Sequence, residues 1–291
     1  MNSLIIDKEN MSVQIKGAKL YTSNHTIPLK LIDILIVAQS IQIDAKTIIN
    51  LANENIPILY ISKDSRKFAL TLPAISKNSE LKVLQYQTLD RSLEIAKRLL
   101  YEKFVTHKNS LEAFDITMNI ENELTHLALA KDIESAMGIE GAFARRYFGH
   151  FFSLFERRLT KGYRSKNPPL DPVNAMLSYI YTLGYNTITA KLYMRGFDPS
   201  ISYLHTPFRN HFALSSDLLE PIRADINTLV AKLFLENILT IGDFTIKNGV
   251  YLKYETRKNL WIHLKPFMEE INSKINKQII VLKKNLMKSE I

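Results

Sequence analysis

Cysteine is absent from all 291 residues, which removes disulfides, thiol nucleophiles and every thiolate-ligated zinc or iron–sulfur centre at once. Any metal must be held by histidine and carboxylates. Glycine is scarce, at nine residues, and the chain has no phosphate-cradling P-loop, dinucleotide fingerprint, Gly-x-Ser-x-Gly elbow or His-Glu-x-x-His pair. These absences argue against nucleotide-driven chemistry, α/β-hydrolase chemistry and zincin-type proteolysis. No apolar run is long enough to span a membrane, and Met1 to Asp7 has neither the basic end nor the apolar run of a signal peptide. A cytoplasmic location with no membrane partner is expected.

What is present is an ordinary globular composition, 46% apolar and 23% charged, with no low-complexity tract. Lys and Arg number 38 against 29 Asp and Glu, a net charge of +9 that suits a polyanion such as DNA, RNA or an anionic surface without choosing among them.

Up to about Ile75 the chain reads as short β-type runs: Ser3 to Ile6, Ser12 to Lys16, Ala18 to Tyr21, Ile32 to Ala38, Ile58 to Ser62 and Phe68 to Leu72. One helix is expected among them, from Ala45 to Asn53. The polar stretch Ala74 to Ser79 then breaks the pattern, and the helical period takes over. Helices are predicted near Glu80 to Lys108, Asn122 to Met137, Gly141 to Lys161, Asp171 to Met194, Asp217 to Leu235 and Arg257 to Met287. Asn248-Gly249 between alternating apolar residues predicts a hairpin over Phe244 to Leu252. The expected fold class is α+β: a β-rich domain over residues 1–76, then a larger α-helical domain over residues 77–291.

The chemistry-bearing residues are dispersed and locally ambiguous. Asp217 and Glu220, at i and i+3 with Arg223 beyond, would line one helical edge, yet the same spacing describes an N-cap with its capping box. Glu140 follows Gly138, which can end one helix, and a Glu at the start of the next meets the helix dipole favourably. His205 lies in a loop, where position alone favours a packed or solvated side chain over a ligand. Arg146 and Arg157 project opposite the stripe Phe148, Phe151, Phe152, Phe155 and Leu159, as either a solvated face or a phosphate contact.

Four phrases in order carry a resemblance over nearly the whole chain. They are Gly138-Ile139-Glu140-Gly141-Ala142-Phe143 onward to Phe148, Arg164-Ser165-Lys166-Asn167-Pro168-Pro169 onward to Tyr181, Gly196-Phe197-Asp198-Pro199 onward to His205, and Leu214-Ser215-Ser216-Asp217-Leu218-Leu219-Glu220-Pro221-Ile222-Arg223. Asn248 to Leu252 follows the same pattern. Together they resemble the universal CRISPR adaptation integrase, the first of the CRISPR-associated proteins. Two departures stand out: Ser202 where glycine is common before the histidine, and Ala224 where proline is common.

The resemblance implies a β-sandwich-like N-terminal domain that dimerises and a helical catalytic domain. It implies metal ligands at Glu140, His205 and Glu220, with Asp217 as an accompanying catalytic acid. One imidazole and two carboxylates suit Mg²⁺ or Mn²⁺. Arg145, Arg146, Arg164, Lys166, Asn174, Arg209 and Arg223, within or beside the phrases, are the expected DNA contacts. The implied reaction joins prespacer 3′-hydroxyl ends to the CRISPR repeat by transesterification, with hydrolysis when water attacks instead. Implied partners are double-stranded DNA, a second copy of the chain, and the small ferredoxin-like second CRISPR-associated protein. A transposon-type integrase or a branched-DNA nuclease would use the same site, though relatives of the former usually carry a further C-terminal DNA-binding domain. A non-catalytic DNA-binding scaffold is the reading furthest from these.

Overall fold

The computed structural model describes residues 2–287 apart from 10, 24, 63–66, 74–77 and 208–210. The predicted boundary at residues 76 and 77, and Arg209, therefore lie outside the described residues.

The N-terminal part holds two sheets. Strands β1 (Asn2–Ile6), β5 (Ile32–Val37), β6 (Ile58–Ile61) and β7 (Phe68–Thr71) form a mixed sheet in the order β1-β5-β6-β7, with β7 antiparallel to β6 and the other pairings parallel. Strands β2 (Val13–Lys16), β3 (Lys19–Thr22) and β4 (Thr26–Pro28) form an antiparallel meander. The parallel pairing of β5 with β6 needs a crossover, and α1 (Ala45–Asn53) supplies it, its first turn capped by Asp44 accepting from the Thr47 amide at 2.8 Å.

Alternation along β5 assigns its two faces. Leu35 and Val37 join Ile6, Val13, Leu20, Leu51 and Ile58 in a core shared with the meander and α1. Ile34 and Ile36, with Leu59 and Ile61, face the opposite way into the helical body. The register slips between Asn2 and Ser3 of β1, skipping Asp33 of β5. This bulge turns Asp33 to the helical side, where it pairs with the buried Lys191. Each buried Leu, Ile or Phe in these clusters contributes about 1.5–3 kcal/mol.

The helical body contains α2 (Ser79–Gln87), α3 (Ser92–Glu112), α4 (Glu121–Leu129), α5 (Ile133–Phe152), α6 (Pro172–Met194), α7 (Ala213–Leu219), α8 (Arg223–Leu235) and α9 (Tyr254–Met287). The α+β class holds, and α6 and α9 fall close to their predicted spans. Between α8 and α9 stands the predicted hairpin, β8 (Phe244–Ile246) with β9 (Val250–Leu252). Among the described residues no helix is long and apolar enough to cross a membrane.

Four helix assignments need correction, the first being the run from Asn122 to Met137: α4 ends at Leu129 and α5 begins at Ile133. The run from Glu80 is two helices, broken by a 3-10 turn at Leu89–Arg91. Gly138 ends nothing: α5 runs through Gly138 and Gly141, begins at a capping box between Asp132 and Ser135, and stops at Phe152. A mid-helix glycine costs only about 1 kcal/mol, which burial of Ala136, Phe143, Tyr147 and Phe151 on one stripe outweighs. The helix expected from Asp217 already starts at Ala213, so Asp217 and Glu220 form no capping box. Pro221 has no amide hydrogen, and α7 closes in a 3-10 turn over Glu220–Ile222 before α8 resumes.

Candidate active site

The interrupted segment around Pro221 sits at the heart of an open cleft of about 710 Å³ formed by α3, α5, α6, α8 and the loops at 162–166 and 205. Five Lys or Arg side chains line it, Lys103, Arg145, Arg164, Lys166 and Arg223, against the carboxylates of Glu140 and Glu220. The balance is positive, as a phosphate-binding groove requires.

Glu140 lies on the inward stripe of α5, one turn before Phe143 and in line with Tyr147. Glu220 is carried into the cleft by the turn at Pro221, whose carbonyl accepts from Thr106 Oγ1 of α3 at 3.1 Å. His205 is brought to the same wall by Asp217, which is fully buried. The Asp217 carboxylate accepts the amides of Tyr203 (2.7 Å), Leu204 (3.0 Å) and His205 (3.0 Å), and His205 Nδ1 at 2.8 Å. Ser202, at the position where glycine is common, closes the same turn by donating from Oγ to the His205 carbonyl. With Nδ1 engaged, His205 Nε2 is turned toward Glu220 Oε1 at 3.7 Å. Burial works against the imidazolium, but the Asp217 hydrogen bond and the charges of Glu220 and Asp217 outweigh it and raise its pKa above the ordinary histidine value.

The structure thus brings Glu140, His205 and Glu220 to one wall with Asp217 behind the histidine. Sequence reasoning missed a further participant. Lys103 of α3 is buried and pairs with Glu140 Oε1 and with Glu220 Oε2, the latter at 2.6 Å. Burial disfavours its charge, yet Glu220 and Glu140 lift its pKa above the usual lysine range. Glu220 is likewise desolvated, but Arg223, Lys103 and His205 hold its carboxyl far below the ordinary range. A signal for Lys103 did exist: it occupies a core position in the stripe Leu99, Leu100, Phe104 and Leu111, where the helical period calls for an apolar residue.

Lys103 stands between the two acids, and among the described residues no three His, Asp or Glu side chains are closed up at metal-ligand distances. The donor set still fits a hard divalent cation. Glu140 and Glu220 already reach one cation together, the Lys103 ammonium, Nε2 of His205 faces Glu220, and Asp217 orients that imidazole as carboxylates commonly orient metal-binding histidines.

The expected DNA contacts divide. Arg223 donates from Nε to Glu220 Oε1 at 2.9 Å, and its guanidinium lies 4.6 Å over the Tyr181 ring. Arg164 lies over the same ring at 5.5 Å. With Lys166 and the exposed Arg145, both line the cleft. Two of the expected residues are engaged within the chain. Arg146 turns away to α4, where it pairs with Glu123 and donates to the Asn119 carbonyl at 2.9 Å. Asn174 is fully buried, and its amide is used within the chain: it accepts from Arg164 (2.9 Å) and the Ser165 amide (3.0 Å) and donates to the Tyr163 carbonyl (2.9 Å) and Asp171 (2.8 Å). Asn174 holds the loop that presents Arg164.

Residues 2–265 match the family model described as CRISPR associated protein Cas1. A CRISPR-associated endonuclease Cas1 from Thermodesulfovibrio yellowstonii is 28% identical over 284 residues, spanning 90% of this chain and 89% of that protein. Among solved structures, a Cas1 protein from Thermotoga maritima superposes with a TM-score of 0.85 at 19% identity, covering 100% of this chain and 98% of that one. A casposase bound to integration product gives a TM-score of 0.72 at 22% identity, covering 96% and 82%.

Proposed function

Since the chain belongs to the Cas1 family of CRISPR-associated proteins, we propose that it is a divalent-metal-dependent DNA integrase and endonuclease of the cytoplasm. It joins prespacer 3′-hydroxyl ends to the CRISPR repeat by transesterification. The observation that carries this reading is the convergence of Glu140, His205 and Glu220 on one wall of a basic cleft.

Glu140, Glu220 and His205 Nε2 would hold Mg²⁺ or Mn²⁺. When bound, such an ion polarises a phosphoryl oxygen, lowers the pKa of a 3′-hydroxyl and stabilises the leaving oxygen. The remaining work falls to the chain. Asp217 fixes the ring of His205. Arg223 and Arg164, stacked on Tyr181, present guanidinium edges to the phosphates flanking the scissile bond, and Lys166 and Arg145 extend the positive surface along the backbone. One phosphodiester is made as another breaks, so no nucleotide cofactor is required. Residues 1–76 serve dimerisation and residues 77–291 catalysis, and the small ferredoxin-like second CRISPR-associated protein bridges two dimers.

Glu220→Ala should abolish joining of a 3′-hydroxyl end to supercoiled target in Mn²⁺ or Mg²⁺ while leaving DNA binding largely intact. Wild-type joining in the presence of chelator would overturn the reading. The likeness to the casposase favours one second reading, a transposon-type integrase. Comparing CRISPR repeat with unrelated target DNA, with and without the small partner, separates the two.

A further inference from the structure

Lys103 is a buried cation on an apolar helical stripe, and it pairs with two carboxylates from different elements, Glu140 of α5 and Glu220 of the turn after α7. Its side chain is 6% exposed and that of Glu220 5%. A lone ammonium at such depth is costly without partners. Two acids brought together at this depth repel one another unless a cation lies between them. Lys103 and the acid pair therefore stabilise each other without any further ion.

Resting on the metal-site reading above, we infer that Lys103 is a built-in competitor for the divalent cation: its ammonium holds the Glu140 and Glu220 oxygens that the cation must take. Several features of the surroundings fit that role. His107, one turn along α3, accommodates no second charge beside the ammonium, since burial and then Lys103 itself push its pKa down to about 3. Arg223 engages the other oxygen of Glu220, Oε1, at 2.9 Å. The Lys103 side chain has four rotatable carbons, and the cleft it lines also contains the surface on which DNA phosphate would lie. Displaced from the acids, the ammonium has a phosphate-binding groove to turn into. Metal loading and DNA binding are thereby coupled through one side chain: without DNA the lysine opposes the cation, and with phosphate in the cleft it has another partner.

Titration of Mn²⁺ into the metal-stripped full-length protein tests this without relying on turnover. Lys103→Met should bind Mn²⁺ tighter by on the order of tenfold or more, as expected for removing a unit charge a few ångströms from a divalent ion, while its melting temperature without metal falls. Lys103→Arg, which keeps the charge, should bind Mn²⁺ no tighter than the wild type. Should Lys103→Met fold poorly, Lys103→Gln takes its place in the same titration. A purely structural lysine would lower the melting temperature in Lys103→Met and leave Mn²⁺ affinity unchanged or weakened, and that result overturns the inference. Glu140→Gln separates the two levels. If it loses Mn²⁺ binding while Lys103→Met gains none, the competition idea alone falls; if it binds Mn²⁺ like the wild type, the metal-site reading falls and the inference with it.

Discussion

His205 and Asp217 are joined by a 2.8 Å hydrogen bond from Nδ1, and the same buried carboxylate takes three successive backbone amides of the histidine loop. One acid thus sets both the path of the loop and the orientation of the ring. Asp217→Asn keeps the volume but turns an amide donor toward backbone donors. Stability should fall by about 1–3 kcal/mol, and Mn²⁺ affinity by roughly 10–100-fold. Calorimetry and a metal titration check both, and unchanged metal affinity would show that the loop holds His205 without this acid.

Tyr181 carries two separable roles. Its hydroxyl donates to Asn227 in the core behind the cleft, and its ring lies beneath Arg223 and Arg164. Tyr181→Phe should lose about 1 kcal/mol of stability yet join DNA at near wild-type rates. Tyr181→Leu removes the ring and with it about 0.5–2 kcal/mol of cation–π attraction per arginine, so strand joining should fall by tenfold or more. Equal joining by the two variants would show that the arginines do not depend on the ring.

His107 makes the fold sensitive to acid. Burial first, and then the charge of Lys103, lower its pKa from 6.5 to about 3. In the unfolded chain it takes a proton as pH falls through about 6.5; in the folded chain it stays neutral until about 3. Its contribution is complete above pH 6.5 and is lost progressively as pH falls toward 3, by about 3 kcal/mol at pH 4. In His107→Phe, which suits the neighbouring rings of Phe143 and Tyr147, the melting temperature should fall less steeply below pH 6.5. Parallel curves for the two proteins would contradict the assignment.

Gly249 ties the hairpin to the loop that presents Arg164 and Lys166. Its φ is +140°, and an added Cβ would lie 2.7 Å from Pro168 Cβ. The adjoining Val250 amide donates to the Pro169 carbonyl at 2.8 Å. Gly249→Ala should cost about 1–3 kcal/mol and weaken DNA binding as the loop shifts. Unchanged stability would mean that the hairpin accommodates the methyl by moving as a unit.

The α+β division was legible because it rests on local periodicity: β2 alternates Val13 and Ile15 with Gln14 and Lys16, and in α3 the buried Ile95, Leu99, Leu100, Phe104 and Leu111 recur every three to four residues. Asp171-Pro172 marked the start of α6 for the same reason, since a cap and an N1 proline act within one turn. Boundaries set by competition between local and distant partners were not legible. Asp217 had a plausible capping role nearby and was claimed instead by the amides of residues 203 to 205. Gly138 offered a helix stop, which packing of the α5 stripe overrode. Asn174 and Arg146 were legible as residues of the matching phrases, but which way each faces depends on partners outside its own helix: the loop at residues 163–165 for Asn174, and Asn119 and Glu123 for Arg146.

By itself the sequence determined which chemistries were open: no thiol, no nucleotide cradle, a basic surplus, and Glu140, His205 and Glu220 set in recognisable phrases. Residue type and short-range order carry that information. Tertiary structure alone decided that those three share a wall, that Asp217 stands behind His205, and that Lys103 lies between the acids. A charge at a core position is only a cost when read along a helix, and it becomes an interaction once other helices bring opposite charges to it.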